Sequence, residues 1–156
     1  MKSKVLIRFY SLVSLLLISM ATFSNTLTDQ KKLDVKRTEN AEILVKAVNQ
    51  NNLSRLRSVF SQKNSLLQDK ELQTFIDLSK NFLGEIRFEG IGTRPAHVSK
   101  GEELVIASIH TNIATQIGRQ YLLSGSNDKQ VILQVSYPKG SDKAGLVSVD
   151  FYPFNK

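Results

Sequence analysis

Gly84 divides the chain into two halves with different apolar periods, and that change limits the fold more than any other feature of the sequence. Before it, apolar residues recur at helical spacing in three runs. Ala41, Leu44, Ala47 and Val48 lie between about Glu39 and Gln50, followed by Leu53, Leu56, Val59 and Phe60. Leu72, Phe75, Ile76, Phe82 and Leu83 then span about Asp69 to Leu83. Residues three and four apart share a helix face, so each run carries one apolar stripe. Asn51-Asn52 separates the first two helices, and the Asn52 side chain is placed to accept an otherwise unpaired N–H of the second. Gly84 suits the position just past the end of the third.

After Gly84 the sequence predicts strands at about 85–91, 103–112, 117–123, 130–137 and 145–152. Their separators are Arg94-Pro95, Gly118, Ser124-Gly125-Ser126-Asn127-Asp128 and Pro138-Lys139-Gly140-Ser141-Asp142. The last two have hairpin chemistry and imply antiparallel neighbours. Val131, Leu133, Val135 and Tyr137 fall on one face, and Val147, Val149 and Phe151 alternate with Ser148, Asp150 and Tyr152. This pattern predicts one buried sheet face and one wetter face, with Asp150 turned away from the apolar core. Helices first and an antiparallel sheet afterwards make an α+β domain, its N-terminal helices packed on one face of the sheet.

The N-terminus carries an address. Lys2, Lys4 and Arg8 precede an apolar run centred on Leu12 to Ile18, which has the form of a secretory signal peptide over residues 1–24. The stretch from Phe9 to Phe23 is shorter than the roughly 20 residues that span a bilayer, and Ser11, Ser14 and Ser19 interrupt it. Cleavage before Thr22 or Asn25 is expected; a membrane location follows only if the leader is retained as an anchor. Losing the leader takes the formal net charge from +7 to +4, so part of the basicity belongs to targeting. The chain has no cysteine, which removes disulfides, thiolate metal ligands and lipid-modified cysteine. An exported, cysteine-free small domain points to a bacterial periplasmic or secreted protein. Residues 25–37 read as a polar lead segment, and 38–156 as a single domain.

Three stretches resemble the nuclear-transport-factor-two-like (cystatin-like) superfamily of cone-shaped α+β rolls, as exported bacterial members of uncharacterised families. They are Ala47 to Phe60, with two short helices; Phe82-Leu83-Gly84-Glu85-Ile86, a helix entering a strand; and the closing Ala144 to Pro153. The likeness spans about residues 39–154 in element order. It implies a curved sheet and a pocket between helices and sheet, lined by aromatic or ionisable residues. Arg94, His97, Arg119, Tyr121 and Tyr137 are the candidate ligand-binding residues on this basis. The superfamily includes steroid-isomerase-like enzymes that pair a carboxylate base with an oxyanion hole. That constellation has no match here. Fold membership settles no activity.

Other motifs carry less. His97 and His110 lack metal-ligand spacing, so no metal and no cofactor are expected. No Gly-x-Ser-x-Gly elbow occurs, and Gly90-Ile91-Gly92 lacks both the third glycine and the helix of a dinucleotide fingerprint. Asn52-Leu53-Ser54 fits a glycosylation acceptor but reads better as a helix cap. Arg55, Arg57, Lys63, Lys70, Lys80, Arg87, Arg94, Lys100 and Arg119 are scattered among acids, a solvated surface and not a nucleic-acid interface. Tyr137 reads as a core-edge tyrosine with its hydroxyl satisfied. The expectation is therefore an exported, non-enzymatic binding or accessory protein of the bacterial envelope. It would engage a small ligand or a protein partner, possible roles including immunity or inhibition; homodimer formation is left open. The alternative is a small-molecule enzyme, isomerase-like or hydrolase-like, with Tyr121, Tyr137 or His97 moving or orienting a proton in the roll cavity.

Overall fold

The structure is a computed structural model that describes residues 28–60, 67–92, 105–111, 113, 115–138 and 145–154. The chain divides into two units, 1–35 and 36–156. Of the first, residues 28–35 are described and are helical. The second opens on helix α1 over 36–49, followed by α2 (Leu53–Ser58) and α3 (Asp69–Leu83). Five strands complete it: β1 (Ile86–Ile91), β2 (Ala107–Ile109), β3 (Thr115–Gly125), β4 (Gln130–Pro138) and β5 (Ser148–Pro153).

The Asn51-Asn52 junction works as its chemistry predicts. Asn51 takes a left-handed φ of +52°, and its N–H donates to the Val48 carbonyl at 3.1 Å while that of Asn52 donates to Ala47 at 2.9 Å. These two bonds close α1 on carbonyls that would otherwise be orphaned. Asn52 then caps α2, its Oδ1 accepting the Arg55 N–H at 2.8 Å. At the start of α3 the Glu71 carboxylate accepts the Gln68 N–H at 3.0 Å, and the helix ends at Gly84.

The strands form one antiparallel sheet in the order β1-β3-β4-β5-β2, not closed into a barrel, and the fold is α+β. The helices pack on the face carrying Tyr121, Leu123, Leu133, Val149 and Phe151, all fully buried. Phe75 of α3 meets Phe151 of β5 edge to face, with ring centroids 5.2 Å apart. Strand β2 follows β1 in the chain yet lies at the opposite edge, beside β5.

Three expectations need correction. Gly118 does not separate strands: β3 runs through it, with an irregular register between Ile117 and Gln120. The second strand is only Ala107–Ile109, shorter than the predicted 103–112. The second sheet face is also not wet throughout, because Ile132, Ser136, Ser148, Asp150 and Tyr152 are buried on it. The reason is position. β4 and β5 are each flanked by a strand on both sides, so side chains of the neighbouring strands cover theirs on this face too.

Edge strand β1 is closed by a side chain. The Asn49 carboxamide at the end of α1 donates from Nδ2 to the Ile86 carbonyl at 2.7 Å and accepts the Ile86 N–H on Oδ1 at 2.9 Å. It stands in for one residue of a neighbouring strand and blunts the edge. Asn49→Ala leaves both groups of Ile86 without their partner. It is expected to destabilise the fold by about 2 kcal/mol in urea denaturation, since part-buried groups lose their bonds; an unchanged midpoint would contradict the role.

Candidate functional site

Tyr121 and Tyr137 are brought together, α1 adds Arg37 and Thr38 to them, and Arg119 acts on Tyr137 through its charge. Tyr121 and Tyr137 come from neighbouring strands β3 and β4 and project onto the helix-facing side of the sheet, where both are fully buried. The Arg37 guanidinium lies over the Tyr137 ring, 4.1 Å from its centroid, a cation–π arrangement at a site where Arg37 is itself buried. Thr38 Oγ1 and the Tyr121 hydroxyl are 3.4 Å apart, and the Tyr121 ring packs against Phe88 at 5.1 Å. The Tyr137 ring fits because residue 118 has no side chain: a Cβ there would lie 2.0 Å from Tyr137 Cε2.

The Tyr137 hydroxyl departs from expectation, having no hydrogen-bond partner among the described residues. Tyr121 stands beside it electrostatically, but the pair falls outside hydrogen-bond geometry. Burial pushes the Tyr137 pKa far above the usual tyrosine value; Tyr121 adds to the rise, and Arg37 and Arg119 oppose it. The phenol is therefore a neutral donor, not a base. Its contribution to stability is present below the ordinary tyrosine pKa of about 10 and is lost on raising the pH toward the elevated folded value. Arg94 and His97 lie outside the described residues.

A second polar group crosses the opposite face. Gln120, Gln134, Asp150 and Ser108 stand in register over β3, β4, β5 and β2, and Gln120 Nε2 donates to Gln134 Oε1 at 2.9 Å. Asp150 faces away from the helices, as its parity predicts, and His110 Nε2 meets its Oδ1 at 2.5 Å. The carboxylate is buried while the imidazole is 64% exposed. Such a pair can orient an imidazole, but among the described residues no hydroxyl bonds the other ring nitrogen. No group of three His, Cys, Asp or Glu among the described residues could hold a metal ion. No described helix is long and apolar enough to cross a membrane.

The described groove lies elsewhere. It has a volume of about 840 Å³ and opens on the face bearing Arg87, Leu122, Ser124 and Gln130, beside the β3–β4 hairpin. Both charge signs line it, from Arg87, Glu89, Asp128 and Lys129, with Phe82 and Phe154 as apolar surface. Glu89 is held by the Ser124 hydroxyl, and the Lys129 ammonium sits 4.3 Å from the centroid of the Phe82 ring.

Sequence reasoning missed Arg37 and Thr38, which fall in or beside the segment read as a polar lead. A signal was present: Arg37 continues the stripe of Ala41, Leu44 and Val48 one turn backwards. The groove residues gave no such signal, since Arg87 reads as one of many scattered cations. No family model matches this chain, and the curated proteins and solved structures compared with it yield no match either.

Proposed function

We propose that this is an exported, non-enzymatic binding protein of the bacterial envelope, a roll of the nuclear-transport-factor-two-like kind, that engages a protein partner through the groove beside the β3–β4 hairpin. The groove carries the reading. It is open to solvent, combines aromatic surface with charges of both signs, and so offers a partner an apolar contact with a polar rim. Its charges suit a surface of mixed charge and would set register and orientation more than raw affinity. The enzymatic alternative draws less support. Tyr121 and Tyr137 are fully buried, and a group that transfers a proton must come within hydrogen-bond reach of a substrate.

The test is expression of the tagged full chain in a bacterium, followed by fractionation and capture. The expected product lies in the envelope fraction, begins near Thr22 or Asn25, and brings down a protein partner. Arg87→Glu combined with Lys129→Glu should weaken that partner about tenfold, near 1.4 kcal/mol, with little change in melting temperature. Retention of an intact leader in the cytoplasm would defeat the export half of the proposal. Equal capture by the doubly reversed variant would defeat the groove.

A further inference from the structure

The Tyr137 hydroxyl is harder to explain than the rest of its residue. The ring alone accounts for the packing: it is fully buried, covered by the Arg37 guanidinium and seated against Gly118. Phenylalanine would fill the same volume without a polar atom. A buried hydroxyl with no partner costs about 1–3 kcal/mol, a penalty that an apolar replacement would avoid. The groups around it share one character. Tyr121 and Thr38 bring hydroxyls, and the charges acting on Tyr137 from Arg37 and Arg119 are both positive. Arg37 and Arg119 each have a further interaction besides the one with Tyr137. The backbone is also irregular here. The β3 register breaks between Ile117 and Gln120, and such breaks re-aim side chains beside binding sites.

We infer that this cluster binds a small monoanion, a halide or a simple carboxylate, which accepts from the Tyr137 hydroxyl between the cationic groups of Arg37 and Arg119. An acceptor is what the arrangement needs: an anion gives the phenol its missing hydrogen-bond partner and meets two positive charges in a poorly solvated place, where charge-assisted bonds are strong. The enclosure limits its size. Both tyrosines are fully buried and Arg119 is the half-buried member, so the enclosure admits no occupant of more than a few atoms. This site lies on the helix-facing side of the sheet and is independent of the groove on the other side.

The experiment measures melting temperature of the full chain and of Tyr137→Phe during titration with sodium chloride and, separately, sodium acetate. Ionic strength is held constant with sodium sulfate, whose general salting effect is common to both proteins. Wild type should show a saturable rise of about 4 °C with one or both monoanions, and Tyr137→Phe should show none. A response to chloride alone identifies a halide site, and one to acetate alone a carboxylate site; either supports the inference. Chloride binding is also read by broadening of the ³⁵Cl resonance, again lost in Tyr137→Phe. If that variant does not fold, Arg119→Gln takes its place with the same expected loss. Identical responses in wild type and variant would overturn the inference. So would the absence of any saturable response, with Tyr137→Phe simply more stable in every buffer, because the hydroxyl would then be no more than an unpaired core atom.

Discussion

Gly125→Ala is expected to lower the melting temperature by about 10 °C, corresponding to about 3 kcal/mol, the upper part of the range for overpacking a closed interior. A Cβ at this position would lie 2.1 Å from the Leu83 carbonyl oxygen and 2.8 Å from both its carbonyl carbon and its Cα. The obstruction is backbone, which cannot swing aside as a side chain can. Nor can the two segments part easily, because polar bonds join them around the contact. The Ser126 N–H donates to the Glu85 carbonyl at 2.9 Å, the Glu85 N–H to Ser126 Oγ at 3.0 Å, and Asn127 Nδ2 to the Phe82 carbonyl at 2.6 Å. An added methyl group must break some of these or lift the end of α3, whose Leu83 is fully buried, off the hairpin. Urea denaturation followed by circular dichroism checks it. A midpoint equal to wild type would mean that the α3 terminus and the hairpin are not in this contact.

Gly118→Ala should be nearly as damaging, at about 2–3 kcal/mol, and more informative about the site. Its Cβ would meet Tyr137 Cε2 at 2.0 Å and Cδ2 at 2.3 Å, with the Val135 carbonyl oxygen 3.1 Å away. Here the obstruction is a side chain, but a rigid ring held by Arg37 and by the packed interior has nowhere to turn. The origin of the damage can therefore be isolated. Tyr137→Leu removes the ring from the contested space, so Gly118→Ala should cost much less on that background than alone, a coupling of about 1–2 kcal/mol in a double-mutant cycle. Strict additivity would show that Gly118 matters for some reason other than Tyr137. Displacing the phenol should also abolish the monoanion response, even where the Gly118→Ala protein remains folded.

Much of the secondary structure was legible because its causes are local. The Asn51-Asn52 junction needs only a residue tolerant of left-handed backbone and a side-chain acceptor for the next helix, and both are written in adjacent positions. Helix α3 was legible from the spacing of Leu72, Phe75, Ile76 and Leu83, and Gly84 marked its end. Alternation placed Val131, Leu133, Val135 and Tyr137 together on the helix side, where all four are buried. The same rule led to a wrong expectation for the other face. Alternation compares neighbours along one strand and is blind to whether that strand ends up at an edge or in the interior.

The candidate site was only half visible for a related reason. Arg119, Tyr121 and Tyr137 stand out as polar or aromatic residues on predicted strands, but Arg37 reads as part of a charged lead, and only its place over the Tyr137 ring assigns it to the site. The cradle at Gly118 was hidden more completely, since a lone glycine between β-prone runs looks the same whether it ends a strand or makes room for a ring.

From its own order of residues, then, this chain determines three helices followed by β-structure and the caps between them, because periodicity and capping act over a few neighbouring positions. Tertiary structure alone decides that β2 crosses to the far edge beside β5, that the second sheet face is buried at its centre, and that a cation from α1 meets a phenol from β4. Those outcomes depend on pairings between residues far apart in the chain. They are selected by the fit of the whole interior, not by any local preference.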